Sequence, residues 1–204
     1  MAKIEGIDVS HYQGSIDWEA VAASGVKFAF VKATEGFTWR DARFRSNWQG
    51  AKQAGIAVGA YHFFRTKDGT RQANNILRRL DEVGFEPGDL LPVIDVETWD
   101  PAAGSQSTYI SYIEDWLTRV EDKLGRKAII YTFASFWRRI GNPDQFSEYP
   151  IWAVDLSRPN NPRIPRGWTD YDVLQYDHHG SVAGISGDVD LNHSDDTKIS
   201  RLRL

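Results

Sequence analysis

Two carboxylates separated by one residue, Asp95 and Glu97, follow the apolar run of residues 90–94. In a strand, residues i and i+2 point to the same face, so this spacing predicts one shared site, with backbones about 6 to 7 Å apart. Burial and mutual repulsion raise the pKa of one member of such a pair, which then stays protonated near neutral pH. A protonated acid beside an ionised partner is what glycoside hydrolysis needs. The alternative is that both acids mark a strand end that runs into solvent.

The composition limits the classes of protein to consider. The chain has 204 residues, 41% of them hydrophobic and 13% aromatic, which is enough to bury one sizeable core. A net charge of -4 argues against binding driven by nucleic acid phosphates or an anionic membrane surface. The absence of cysteine excludes a disulfide framework, a thiolate nucleophile and a cysteine-ligated metal. The sequence as written shows no signal peptide and no membrane span, so we expect a soluble protein whose export route is open.

Short apolar runs alternate with amphipathic stretches, without a linker, which predicts a single domain over residues 1–204. The predicted strands are 4–9, 26–32, 57–64, 91–96, 128–132, 151–154, 173–176 and 186–191. The predicted helices are 18–23, 41–54, 71–83 and 108–124. This order predicts a parallel sheet in an α/β barrel related to the (β/α)8 type. Proline and glycine after Pro143 predict fewer helices in the C-terminal third, where loops connect the last strands.

Acids and aromatic residues occur where the predicted strands end, and sites in such barrels form where the C-terminal ends of strands meet. The acids are Asp8, Asp95, Glu97, Asp155 and Asp190. Other predicted strands close with Lys32, Glu35, Tyr61, His62, Tyr131, Gln175 and Tyr176. A rim of acids and rings suits a sugar polymer, whose pyranose faces stack on rings while its hydroxyls bind carboxylates. Any one of these acids could instead be a cap or turn residue.

Several segments, in order, resemble glycoside hydrolase family 25, the Chalaropsis-type lysozymes. They are residues 8–14 with 16–18, 30–36, 59–63, 95–97, 175–176 and 189–192. The resemblance spans nearly the whole chain. It implies a modified, flattened α/β barrel that hydrolyses the β-1,4 bond after N-acetylmuramic acid in peptidoglycan. It also implies that no metal or organic cofactor is needed.

By matching position, the resemblance implies that Glu97 is the general acid and then the base, with Asp95, Asp8 and Asp190 as the other acids. Asp95 would either attack the anomeric carbon or orient the substrate's 2-acetamido group, whose own oxygen then attacks. Both routes retain the anomeric configuration. We favour the second, since the spacing puts Asp95 beside the acid and under the acetamido group. The expected partner is the bacterial peptidoglycan strand, bound by a monomer that acts on the cell wall.

Five further residues are predicted to contact the substrate: Tyr61, Tyr131, Trp152, Gln175 and Lys32. The tyrosines and Trp152 would be subsite walls or donors to the acetamido carbonyl, although core packing is the alternative for each. Lys32 would pair with Glu35 and shape the rim, or both would be plain surface charges. Residues 152–155 depart from the family pattern that we expected. His178 and His179 predict no metal site, because neighbouring residues of a strand point to opposite faces and no third ligand is evident.

Other classes of protein share some of these features. A module that binds peptidoglycan or chitin would keep the aromatic residues but would not require converging acids. A peptidoglycan amidase or endopeptidase usually relies on zinc or a cysteine nucleophile, and neither constellation is visible in the sequence. A chitinase also uses closely spaced Asp and Glu on a barrel strand, but the long motif from Asp8 to Trp18 argues against it.

Overall fold

A closed barrel of eight strands forms the centre of the computed structural model, which describes residues 3–204. The strands are β1 (Lys3–Val9), β2 (Phe28–Glu35), β3 (Trp39–Arg40), β4 (Ala57–Phe63), β5 (Leu90–Asp95), β6 (Ile129–Phe133), β7 (Ile151–Val154), β8 (Val173–Gly180) and β9 (Val189–Asp195). The sheet runs in the order β1-β9-β8-β7-β6-β5-β4-β2-β3, and pairing of β1 with β2 closes the barrel and leaves the two-residue β3 outside it. The α/β barrel predicted from the sequence is confirmed.

One strand of the barrel departs from the parallel arrangement that the sequence predicted. β9 runs antiparallel to both of its neighbours, β1 and β8. Residues 181–188 connect β8 to β9 and are too few for the crossover that parallel neighbours require. The strand predicted at residues 186–191 begins instead at Val189, so Asp190 lies near the beginning of its strand and not near the end.

The described helices are α1 (Trp18–Ala23), α2 (Phe44–Gln53), α3 (Gly69–Val83), α4 (Gln106–Leu124), α5 (Ala134–Arg139) and α6 (Asp196–Arg201). The first four confirm the four predicted stretches. The helix α4, for example, begins after Ser105, whose side chain accepts a hydrogen bond from the Thr108 amide, and ends at Gly125 with a φ of 68°. The sequence did not predict α5 and α6, because six residues are too few to show a helical period. Within residues 3–204, no helix is both long and apolar enough to cross a bilayer.

Successive side chains of each strand point to opposite faces of the sheet, which divides the core into two layers. Side chains such as Val31, Val58 and Ile130 face outward and pack with the helices. The residues that alternate with them, among them Phe30 and Val93, fill the inside of the barrel. The helix α6 closes the amino-terminal end, where Ile199 and Leu202 join the interior cluster and the Leu91 amide donates to the Leu202 carbonyl at 2.8 Å. The carboxyl ends of the parallel strands surround the opposite end of the barrel.

Two interior phenylalanines fit because glycines face them. An ideal Cβ on Gly6 would lie 2.3 Å from the ring of Phe28, and one on Gly59 would lie 2.7 Å from the ring of Phe30. Both distances are well inside van der Waals contact, so a methyl group at either position requires a ring or a strand to move. The two glycines therefore set how closely strands and rings pack at this level of the barrel.

We expect Gly6→Ala to lower the free energy of unfolding by about 1 to 3 kcal/mol, the usual cost of overpacking a core. Urea denaturation at neutral pH measures the change. Adding Phe28→Leu should recover part of the loss, because it removes the ring carbons that the methyl group meets. Gly104→Ala is the control, since the atoms nearest to its Cβ would lie 3.4 Å away. Equal stability of the Gly6 and Gly104 variants would contradict close packing inside the barrel.

Candidate active site

The carboxyl end of the barrel holds a cavity of about 380 Å³, here called the acidic cavity. It is lined by all nine residues predicted for the site: Asp8, Lys32, Tyr61, Asp95, Glu97, Tyr131, Trp152, Gln175 and Asp190. They come from the barrel strands β1, β2 and β4 to β9, or follow them directly. The nine sequence-distant residues therefore lie together in one cavity, which Asp190 reaches from near the beginning of its strand.

The acids reach the cavity from strands of opposite direction. Asp8 lies near the end of β1 and pairs in register with Asp190, near the beginning of the antiparallel strand β9. Asp95 ends β5, and Glu97 follows two residues later and lines the same cavity. The i, i+2 spacing thus places both carboxyls in one site, as predicted.

Burial is the largest influence on the pKa values of Asp95 and Glu97. Asp95 is 7% exposed, and its Oδ1 atom is buried without a hydrogen-bond partner among the described residues. Burial raises the pKa of Asp95 well above its usual range, and the charge of Glu97 raises it further. Burial also raises the pKa of Glu97, while the Lys32 ammonium opposes the rise at both carboxyls. The pair therefore keeps a proton at a pH where exposed carboxyls are ionised.

Asp8 is clamped by two side-chain amides. Gln175 Nε2 and Asn192 Nδ2 each donate a hydrogen bond to Asp8 Oδ2 at 2.8 Å. The Tyr131 hydroxyl donates to Gln175 Oε1 at 2.8 Å, and Trp152 Nε1 donates to Asn192 Oδ1 at the same distance. These outer bonds fix the orientation of both amides, so that their NH₂ groups point at the carboxyl. Four strands, β6 to β9, thus position one acid of β1.

Asp8 and Asp190 share a hydrogen bond and form a second acidic pair. Burial raises the pKa of Asp8 well above its usual range, the charge of Asp190 adds to this, and the two amide bonds act in the opposite sense. Burial also raises the pKa of Asp190, while the hydrogen bond with Asp8 lowers it. The two carboxyls thus interact as one pair, and burial favours retention of a proton by the pair.

The predicted aromatic contacts form the walls and the floor of the cavity. Burial raises the pKa of Tyr61 and Tyr131, and the charges of Asp8 and Asp95 raise both further, so both side chains remain phenols that can donate a hydrogen bond. Trp152 is 2% exposed and stacks on Phe30 with ring centroids 4.6 Å apart, yet it lines the cavity. It is therefore both a core residue and the cavity floor.

Lys32 is the only lysine or arginine among the described residues that line the acidic cavity. Its ammonium lies 3.0 Å from Glu35 Oε2, which confirms the predicted ion pair. Arg65 binds the same carboxylate. Burial tends to raise the pKa of Glu35, but the hydrogen bonds from Arg65 and Lys32 outweigh it and lower that pKa. The charge of Lys32 is thus held at the rim while it acts on Asp95 and Glu97.

Asp155 lies at the rim as predicted but does not join the other acids. It lines a second cavity of about 420 Å³, which shares Glu97, Tyr131 and Gln175 with the acidic cavity. Arg163 Nε and one of its terminal nitrogens bind the two Asp155 oxygens at 2.8 and 2.9 Å. These bonds hold the pKa of Asp155 well below its usual range. Asp155 is therefore paired with an arginine and lies at the predicted rim, but outside the acidic cavity that holds Asp8, Asp95, Glu97 and Asp190.

Sequence reasoning missed Asn192 and misplaced the histidine pair. Asn192 follows Asp190 by two residues, so the same strand period could have placed it inside the barrel. The rings of His178 and His179 do not point to opposite faces, because their centroids are 4.0 Å apart. The register of β8 with β9 shifts between Asp177 and Gly180, which breaks the alternation there. No three His, Asp or Glu side chains within residues 3–204 are grouped to hold a metal ion.

The raised pKa of Asp8 and the lowered pKa of Asp155 predict that their Asp→Asn variants change stability in opposite directions at neutral pH. A raised pKa means that folding takes up a proton at Asp8 near neutral pH, and this cost disappears as the pH falls to about 4, the ordinary pKa of aspartate. An asparagine at position 8 can accept from both amides and donate to Asp190. Asp8→Asn should therefore be more stable than the wild type at pH 7, with an advantage that shrinks towards pH 4.

Asp155→Asn is the matched control, for which we expect the opposite change in stability. The lowered pKa of Asp155 contributes stability above the ordinary pKa, which is lost as the pH falls through the folded value. This variant should be less stable than the wild type at pH 7, with a deficit that disappears only below about pH 4. Urea denaturation at several pH values measures both differences. A loss of stability for Asp8→Asn at pH 7 would contradict the account of desolvated acids.

Comparison with known proteins places the chain in a family. A family model described as Glycosyl hydrolases family 25 matches residues 7–185. Lysozyme M1 of Streptomyces globisporus is 36% identical over 197 residues, which cover 93% of this chain and 67% of that protein. The N,O-diacetylmuramidase of Chalaropsis sp is 27% identical, with 92% of this chain and 96% of that protein covered.

Solved structures agree with the sequence comparisons. The crystal structure of the bacterial lysozyme from Streptomyces coelicolor matches with a TM-score of 0.86 and 34% identity, covering 99% of this chain and 96% of that one. A family GH25 lysozyme from Aspergillus fumigatus matches with a TM-score of 0.83 and 27% identity, covering 98% and 99%. The resemblance seen in the sequence is thus confirmed. The chain belongs to glycosyl hydrolases family 25 and is a glycosidase.

Proposed function

We propose that this chain is a lysozyme that hydrolyses the β-1,4 bond between N-acetylmuramic acid and N-acetylglucosamine in peptidoglycan, with retention of the anomeric configuration. The observation that carries the proposal is the desolvated pair of Asp95 and Glu97 at the centre of a cavity lined by rings and further acids. The relatives support the choice of substrate, since two of them are named lysozyme and N,O-diacetylmuramidase.

Glu97 is the proton donor in this proposal. Its raised pKa keeps a proton available near neutral pH, and it lines both cavities, so it can face a bond that joins two sugars. Glu97 protonates the glycosidic oxygen as the bond to the anomeric carbon breaks. The resulting carboxylate then takes a proton from the water that attacks the same carbon, which restores the enzyme.

Asp95 orients the 2-acetamido group of the substrate. The acetamido oxygen attacks the anomeric carbon and forms an oxazoline ring, while the N–H bond points to the Asp95 carboxylate. This donor favours the ionised form of Asp95, so substrate binding moves the shared proton to Glu97, where the leaving oxygen needs it. Because water then opens the ring from the opposite face, the two displacements together retain the configuration.

Asp8 and Asp190 supply negative charge near the reacting carbon. Their shared proton leaves one carboxylate in the pair, and the amide clamp keeps Asp8 in place. A fixed negative charge stabilises the positive charge that develops on the sugar ring in the transition state. Asp190 also lies close enough to Glu97 to raise its pKa, which links the two pairs.

The remaining cavity residues hold the sugar. Tyr61 donates a hydrogen bond to the acetamido carbonyl or to a hydroxyl group, Tyr131 accepts one from a sugar hydroxyl while its own proton is donated to Gln175, and Trp152 supplies the apolar floor. Gln175 contributes a polar contact that Tyr131 orients, and Lys32 binds an oxygen at the rim. No metal or organic cofactor is required in this scheme.

The proposal extends to the protein as a whole. We infer that residues 1–204 act as a single catalytic domain and that the protein works as a monomer on the bacterial cell wall. Extracellular or periplasmic action fits the relatives, which include an autolytic lysozyme of Clostridium acetobutylicum that is 32% identical.

Product analysis tests the bond that is cleaved. Purified peptidoglycan is digested, new reducing ends are labelled with borohydride, and the products are identified by mass spectrometry. We expect new muramic acid ends from the wild type, and a rate lower by about 10² to 10⁴ for Glu97→Gln, which lacks the acid. Glu148→Gln is the matched control, because that side chain is 82% exposed and precedes β7 at the opposite end of the barrel.

Other products would assign a different activity. New glucosamine ends would indicate a glucosaminidase, and freed peptides would indicate an amidase. Binding without any product would favour a carbohydrate-binding module.

A thiazoline analogue of the oxazoline intermediate tests substrate assistance. If the acetamido oxygen is the nucleophile, the analogue should bind at least about 100-fold more tightly than the disaccharide product, as intermediate analogues do. Asp95→Asn should lose most of this advantage, since it removes the carboxylate that the ring nitrogen contacts. The same sugar without the fused ring is the control ligand. A covalent ester on Asp95, trapped with a 2-fluoro sugar and found by mass spectrometry, would establish direct attack instead.

A further inference from the structure

Large exposed hydrophobic side chains are confined to the surroundings of the two cavities. Among the described residues they are Tyr12, Trp39 and Leu156, which are 81%, 39% and 39% exposed. Tyr12 lines the acidic cavity, and Leu156 lines the second cavity on the other side of Glu97. Exposed apolar groups beside a cleft mark a contact surface more often than scattered ones do.

Two of these side chains belong to a row of rings that the proposed mechanism does not use. The row consists of Tyr12, His11 and Trp39 and is here called the aromatic ridge. The His11 ring lies between the other two, with centroids 4.2 Å from Tyr12 and 5.5 Å from Trp39. His11 and Tyr12 belong to the motif of residues 8–14, and Trp39 lies outside every motif of the family resemblance.

The His11 ring and the backbone of residues 10–13 are held in position without a ligand. Asp41 Oδ2 accepts hydrogen bonds from the backbone amide of His11 at 3.0 Å and from its Nδ1 at 2.8 Å, and Asp41 is 1% exposed. Ser10 Oγ accepts from the Tyr12 amide at 3.2 Å, and Gln13 Oε1 accepts from the Ser10 amide at 2.9 Å. A rigid surface loses little conformational entropy when it binds, which favours contact with a flexible polymer.

The aromatic ridge is continuous with the acidic cavity at two points. Tyr12 and its neighbours Ser10 and Gln13 line the cavity directly. At the other point, the Lys32 ammonium lies 5.0 Å from the centre of the Trp39 ring, and Lys32 also lines the cavity. A strand bound in the cavity can therefore extend over the ridge.

We propose that the aromatic ridge is an additional subsite, which binds a sugar ring of the same glycan strand beyond the sugars held in the acidic cavity. This inference rests on the proposed function. The apolar face of a pyranose matches one aromatic ring in size, and the polar edges of Tyr12, His11 and Trp39 can meet its hydroxyls. Two exposed rings offer far less than the roughly 800 Å² that each partner contributes to a stable protein interface, which argues against a docked protein.

Substrates of two lengths test the subsite. Peptide-free glycan strands are long enough to cover the whole ridge, whereas a tetrasaccharide bound across Glu97 is expected to end before Trp39, which does not line the acidic cavity. Trp39→Ala should raise KM for the strands by about three- to tenfold, leave kcat unchanged and leave the tetrasaccharide unaffected, whereas Tyr12→Ala, at the border of the acidic cavity, should weaken binding of the strands more than that of the tetrasaccharide. Tyr12→Phe keeps the ring and should behave as the wild type. Phe37→Ala is the control from the same region, because its ring faces Lys67 and Arg71 and not the ridge.

Calorimetry separates binding from hydrolysis. In the Glu97→Gln background, Tyr12→Ala should weaken binding of the strands by the same factor as the KM change, with an unchanged midpoint of thermal unfolding. An unchanged KM and affinity would overturn the inference and leave the proposed function intact. An equal loss on the tetrasaccharide would also overturn it, because Tyr12 would then act inside the acidic cavity. Strands that bind through the ridge but are not cleaved by the wild type would refute the proposed function alone.

Discussion

Closure of the barrel forces every second residue of each strand into one enclosed space, and the rest of the structure depends on this constraint. At the amino-terminal end the space is filled by apolar side chains and closed by α6. At the other end the same alternation brings four carboxyls together, with only Lys32 as a permanent positive charge among the cavity-lining residues described. The apolar side chains inside the barrel and the acids thus occupy inward-facing positions of the same strands. The apolar side chains shield the neighbouring acids from water.

Desolvation raises the pKa of the four acids, so that some of them remain protonated where exposed carboxyls are ionised. Burial is the largest cause of the raised pKa at Asp8, Asp95, Glu97 and Asp190. Proteins avoid such groups unless they use them, because each costs stability at neutral pH. Here the cost is distributed over two pairs, each of which keeps a proton. The protein shows the opposite solution at Asp155, whose pKa is lowered by an arginine and which takes no part in the proposed chemistry.

The sequence allowed much of this to be predicted, because a period of two and the ends of strands are local signals. These signals predict the position of Asp95 correctly but put Asp190 at the wrong end of its strand, since only the short connection to β8 reveals that β9 is antiparallel. The ion pair of Asp155 with Arg163 depends on how residues 156–162 fold, and no periodic pattern predicts such a loop. The helices α5 and α6 are too short to show a period.

The most direct test of the central claim is a pH titration of the side-chain carboxyl carbons by NMR, with Asp and Glu labelled with ¹³C and the four acids assigned through Asn and Gln variants. The account predicts that the pair of Asp95 and Glu97 and the pair of Asp8 and Asp190 each retain a proton after the exposed carboxyls have ionised. Titration of all four carboxyls in the ordinary range, around pH 4, would contradict it, because desolvation would then not govern the site.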